Sequence, residues 1–123
     1  MRIQEAAALL GVEPHVLRHW EDEGLLVPPR AANHYRDYDE ETLARARIVL
    51  GCRAAGLSLA QTRQVLDRDE PGREAVIRDQ HRRVEQQLAE LTRTRAFLEH
   101  VLCCQHSLVI RCRECSAYAT SLT

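Results

Sequence analysis

A chain of 123 residues has room for one compact domain, or a small domain with an appended helix, which excludes a large multidomain enzyme. Charged residues make up 28%, hydrophobic residues 45% and aromatic residues 4%, so the core must be aliphatic, which suits packed helices better than stacked sheets. The net charge is -1 and all 17 basic residues are arginine, so a polyanion can be engaged only through locally grouped arginines.

Ile3, Ala6, Ala7, Leu9 and Leu10 fall at helical spacing and stop at Gly11, which predicts a short helix closed by a left-handed residue. A second helix is expected from Pro14 through Val16, Leu17 and Trp20 to Gly24. Two short helices joined by a glycine-containing turn make a helix-turn-helix pattern. Between Leu25 and Tyr38 the helical period is lost. Pro28-Pro29 break the chain, Asn33 can turn it, and Tyr35 and Tyr38 flank Arg36, which predicts a hairpin or wing. Asp39 then caps a third helix, with Glu40-Glu41 in its first turn and Leu43, Ala46, Val49 and Leu50 along it to about Gly56. Ser58-Leu59-Ala60-Gln61 has the capping-box spacing that opens a fourth.

After the break at Pro71-Gly72, Ile77, Val84, Leu91 and Leu98 recur every seven residues. A second row, His81, Leu88, Arg95 and Leu102, follows four residues behind and is apolar at two positions. This pattern predicts a coiled-coil seam. A lone helix with such a stripe is marginal in water, and a second copy of the chain is the simplest partner.

The cysteines are Cys52, Cys103, Cys104, Cys112 and Cys115. Cys52 reads as a small core residue. Cys103, Cys104, His106, Cys112 and Cys115 have spacing compatible with a metal loop, with His100 an outlying ligand. Thiolates alone suit Cu(I), and thiolates with an imidazole suit Zn(II). A purely structural zinc clip and reversible thiol oxidation are the competing uses. The N-terminus has no apolar signal core and no run approaches a membrane span, so a cytoplasmic chain is expected, where clustered thiols bind metal or sense redox state rather than form disulfides.

The run Val12-Glu13-Pro14-His15-Val16-Leu17-Arg18-His19-Trp20-Glu21-Asp22-Glu23-Gly24-Leu25-Leu26 resembles the second helix of the MerR family of transcription regulators, a hydrophobic-Arg-Tyr-Tyr-Glu stretch ending in Gly-Leu-Leu. His34-Tyr35-Arg36-Asp37-Tyr38 resembles that family's Gly-Tyr-Arg-x-Tyr wing, and Gly56-Leu57-Ser58-Leu59 its Gly-Phe-Ser-Leu segment. The resemblance spans residues 1–102, with the three motifs in order. It implies a mainly α fold: a winged helix-turn-helix DNA-binding domain at 1–71, a dimerisation helix at 72–102 that pairs as an antiparallel coiled coil, and a Cys/His-rich effector loop at 103–123.

The resemblance also implies that Arg18, His19, Tyr35 and Arg36 contact DNA, with Trp20 and Tyr38 beside them. His19 stands where the family usually has Tyr. Arg30, Arg45 and Arg53, and His15 and His34, are positions where phosphate contact competes with simple solvation. A homodimer would sit on a pseudopalindromic promoter element in double-stranded DNA, bend and untwist it, and act on RNA polymerase bound there. Cys104 and Cys112 resemble the two-cysteine loop of copper-efflux regulators, while Cys103-Cys104, His106 and Cys112 approximate the set of zinc-efflux regulators. Where the divalent-metal sensors carry a cysteine at the start of the dimerisation helix, this chain has Asp69-Glu70-Pro71-Gly72. A non-sensing architectural protein of the excisionase type is the rival of another class; it needs neither the seam nor the Cys/His tail. No enzyme is expected, since no Gly-rich loop or acid pair accompanies the thiols.

Overall fold

Six helices carry the fold in a computed structural model that describes residues 1–33, 35–106 and 111–122. They are α1 (Ile3–Leu10), α2 (Pro14–Asp22), α3 (Glu40–Ala54), α4 (Leu59–Leu66), α5 (Arg73–Cys103) and α6 (Arg113–Ser121). The chain divides into two units, Met1–Gln80 and His81–Thr123. Among the described residues, no helix is long and apolar enough to cross a membrane.

In the first unit, α1 ends at Gly11, whose φ of 72° lets the chain reverse, so that the Val12 N–H reaches the Ala7 carbonyl at 3.0 Å. Pro14, with its fixed φ, sits in the first turn of α2. Ala6 and Ala7 are fully buried, and their small side chains let α1 lie close against Leu17 and Trp20 of α2 and Leu43, Ala46 and Val49 of α3. Leu25, Leu26 and Tyr38 close the same core.

The helix starts follow their caps. The Asp39 carboxylate accepts from the Thr42 N–H at 2.9 Å, and Ser58 and Gln61 complete a reciprocal capping box at 3.1 and 2.9 Å. Arginines bind carbonyls at the joints. Arg45 donates to the Leu25 carbonyl at 2.5 Å, Arg53 to that of Leu57 at 2.6 Å and Arg73 to that of Val65 at 2.9 Å. The start of α5 is tied to the α3–α4 turn by Gln80, whose amide donates to the Ala55 carbonyl at 2.8 Å. Next to it Gly56 has a φ of 90°, and a Cβ there would lie 2.6 Å from the same amide nitrogen.

The expected wing is present as a tight loop, with no regular strand among the described residues. Its ladder is a single antiparallel bridge between Arg30 and Arg36, flanked by Asp37 N–H to Pro29 O at 2.8 Å and Ala31 N–H to Tyr35 O at 2.9 Å. Pro28 and Pro29 lack N–H donors, so the ladder cannot extend further along that arm.

α5 contains no buried residue. Its seam positions lie open, with Val84 37%, Leu91 65% and Leu98 56% exposed. In the second unit α6 docks on α5 through Phe97 and Tyr118, stacked with centroids 4.2 Å apart, and through the Tyr118 hydroxyl, 3.1 Å from Thr94 Oγ1. This helix departs from the expectation of a loop over 103–123. Glu114 in its first turn and the single aromatic anchor on α5 supply what the short segment needs.

Candidate nucleic-acid face and cysteine–histidine cluster

The two faces of α2 separate by burial. Leu17 and Trp20 point into the core, while Arg18 and His19 are exposed. Arg18 lines a concavity of about 220 Å³ together with Arg2, Ile3, Gln4, Tyr35 and Arg36. The Arg2 guanidinium lies 4.5 Å from the centre of the Tyr35 ring. Three guanidinium groups and a phenol ring therefore share one hollow where α1, α2 and the wing meet. Arg2 is the residue that sequence reasoning missed: it precedes the first helix and lies outside every motif.

Glu21, on α2, holds the wing in place. Its carboxylate accepts from Arg36 Nε at 2.6 Å and from the Tyr38 hydroxyl at 2.8 Å, and its side chain is only 12% exposed. Burial, together with the Glu21 carboxylate, pushes the Tyr38 hydroxyl well above the usual phenol range, so it stays a donor. The Tyr38 N–H also bonds the Met1 carbonyl at 2.7 Å.

Two of the residues expected near the DNA face lie inward: Trp20 is 5% exposed and Tyr38 1% exposed, and both pack in the core behind that face. Arg45 and Arg53 are bonded to backbone carbonyls, as described above, rather than placed as phosphate contacts. His15 is exposed, and His34 lies outside the described residues.

The second unit gathers four side chains at two helix ends. His100 stands in the last turn of α5, and Cys104 directly follows the helix's last residue, Cys103. Cys112 is the N-cap of α6 and Cys115 lies three residues on. The ligand atoms of His100, Cys104, Cys112 and Cys115 all lie within 4.8 Å of one another. His100 Nε2 is 3.1 Å from Cys112 Sγ, and His100 Nδ1 is 2.9 Å from a Glu114 carboxylate oxygen.

Cys112 and Cys115 are both buried. The Cys115 backbone N–H and the His100 ring hold the Cys112 thiol down at about 6, while burial and the neighbouring Cys112 push Cys115 up to about 11. Contact with Cys112, and then the charge of Glu114, raise His100 above its ordinary value.

Two other expected donors stand apart. Cys103 is exposed and outside the quartet. His106 lies beside Cys104, 3.4 Å from its sulfur, without joining the group. His100, only an outlying candidate in the sequence, is a member of the quartet.

The donor set fits a metal ion. Tetrahedral zinc with sulfur at about 2.3 Å sets its ligand atoms about 3.8 Å apart. The observed spread is within 4.8 Å, so small side-chain rotations suffice.

The profile of MerR HTH family regulatory proteins matches residues 1–69, and that described as MerR, DNA binding matches residues 43–101. The HTH-type transcriptional regulator HmrR of Rhizobium leguminosarum bv. viciae is 32% identical over 108 residues, which are 83% of this chain and 84% of that protein. Among solved structures, HiNmlR, a MerR family regulator lacking the sensor domain and bound to promoter DNA, is similar with a TM-score of 0.66 and 25% identity, over 83% of this chain and 86% of that one. The transcription regulator PbrR691 from Ralstonia metallidurans CH34, in complex with lead(II), is similar with a TM-score of 0.59 and 28% identity, over 95% and 98%. These relatives are transcription regulators and not enzymes. With its helix-turn-helix head, wing and long fifth helix matched in order, the chain belongs to the MerR family of transcription regulators.

Proposed function

We propose that this chain is a cytoplasmic, homodimeric regulator that binds a pseudopalindromic promoter element, distorts it where RNA polymerase works, and responds to a metal ion at its C-terminal Cys/His cluster. The observation that carries the reading is the exposed pair Arg18 and His19 on α2 beside a hollow shared with Tyr35 and Arg36. In this reading α2 lies in the major groove, and Arg2, Tyr35 and Arg36 take the adjoining phosphates. The exposed leucine row of α5 supplies the dimer seam.

The metal arm rests on the quartet at the ends of α5 and α6, and on the likeness to a regulator solved with lead(II). Cys104, Cys112 and Cys115 supply soft donors and His100 an imidazole; Zn(II) and Cu(I) are the ions this chemistry suits. A metal here would add a link between two helix ends that the Phe97–Tyr118 stack already brings together. A thiol-oxidation switch is the second reading, favoured by the Cys112-x2-Cys115 pair within the same 4.8 Å cluster.

Footprinting on the chain's own promoter, with in vitro transcription in the presence of Zn(II), Cu(I) or hydrogen peroxide, tests the proposal. Protection of an inverted repeat with output that changes on adding metal supports it. Output that moves only with peroxide selects the thiol switch, and no protection at any salt concentration rejects the DNA-binding reading.

A further inference from the structure

We infer that His100 is a metal ligand and that Glu114 orients it, so that one chain by itself holds a four-coordinate divalent ion on three sulfurs and one nitrogen. This rests on the metal-binding part of the proposed function and deepens it by assigning a supporting carboxylate to the imidazole, a coordination number and a class of ion, all within one chain.

The geometry has three parts. First, the imidazole presents Nε2 to the sulfurs, 3.1 Å from Cys112, while Nδ1 faces Glu114 at 2.9 Å. A ligating histidine ordinarily donates its other ring N–H to a carboxylate, which fixes the tautomer and turns the ring toward the ion. Second, the four donors come in two pairs: His100 in the last turn of α5 with Cys104 in the residue just after its end, and Cys112 with Cys115 at the N-cap and first turn of α6. The Phe97–Tyr118 stack already holds α6 against α5, beside these two pairs. Third, the alternative donors are placed elsewhere: Cys103 is exposed and His106 lies outside the cluster. Three thiolates with an imidazole match a borderline-soft tetrahedral ion of the Zn(II) type better than Cu(I), which sulfur alone satisfies.

The test is anaerobic titration of the reduced full-length chain with Co(II), a coloured stand-in for Zn(II), followed by Zn(II) competition. One ion per chain with intense visible bands of tetrahedral Co(II) and thiolate-to-metal charge transfer is expected. Glu114→Gln should keep that spectrum and weaken affinity about 10- to 100-fold. His100→Ala should lose the four-coordinate spectrum, and His100→Cys should restore it with stronger charge transfer, which guards against a variant that merely misfolds. Cys103→Ser and His106→Ala should match the parent.

An unchanged spectrum and affinity in His100→Ala, or loss in His106→Ala instead, would overturn the assignment. If the spectra behave as expected while promoter transcription ignores the metal, the site stands and the regulatory reading fails. If neither Co(II) nor Zn(II) binds but Cu(I) does, the regulatory reading survives and this inference is rejected.

Discussion

Glu21 accepts the hydroxyl of Tyr38 at 2.8 Å, and through it the exposed helix of the head and the base of the wing become one body. The same carboxylate holds Arg36 at 2.6 Å, so a single acid sets the position of a residue in the proposed DNA hollow. Tyr38→Phe leaves the buried carboxylate without one of its two donors and is expected to cost about 1–2 kcal/mol, read by urea unfolding. Glu21→Ala should cost more and weaken promoter binding as well. Equal DNA affinity in Glu21→Ala and parent would show that the wing does not depend on this clamp.

Arg18→Ala is expected to reduce promoter affinity at least tenfold and to lower the slope of log affinity against log salt by about one. Arg45→Ala is the contrasting variant. Its side chain holds the Leu25 carbonyl, so stability should fall while the salt slope stays put. Fluorescence anisotropy with labelled operator at several salt concentrations separates the two.

The open row along α5 predicts the effect of a charge. Leu91→Asp or Leu98→Asp places a carboxylate where the seam must be dry, and sedimentation should show a shift from dimer to monomer with loss of operator protection. A dimer that survives both changes would locate the pairing surface elsewhere.

Asp39 gives a pH prediction whose sign can be worked out. Its bonds from Thr42, side chain first and backbone second, lower its pKa from the model-compound value of 3.8. The stabilisation is therefore present above that unfolded value and is lost as pH falls through the lower folded one. Asp39→Asn keeps a good cap without a titrating group, so it should change the melting temperature little at pH 7 and show a shallower decline below about pH 4. Parallel acid limbs in the two proteins would show that Asp39 adds nothing to acid stability.

Much of the head was legible because local chemistry agreed with the final packing. Gly11, Pro14, Asp39 and the Ser58–Gln61 box mark turns and helix starts through interactions within a few residues. What the sequence left open depended on distant partners. Trp20 and Tyr38 belong to recognisable motifs, but only the core formed with α1, α2 and α3 decides that they point inward. Arg45 looked like a surface cation because the carbonyl it binds lies 20 residues away. In the tail, α6 and the role of His100 depend on docking between Phe97 and Tyr118, a contact with no periodic signature. The clustering of the cysteines was visible in the sequence, whereas the imidazole that joins them belongs to a helix read for its leucines.

The arginine-to-carbonyl bonds at the joints bear on how the protein would search for its target. Arg45, Arg53 and Arg73 hold backbone oxygens, and Arg63 likewise bonds the Glu23 carbonyl, so part of the cationic inventory serves the fold. In a chain whose net charge is -1, this leaves counterion release a small driving force on arbitrary sequence. A dimer of this kind should let go of random DNA quickly and linger where groove shape and base edges complement its hollow. Occupancy would then follow the quality of the operator more than the amount of surrounding chromosome.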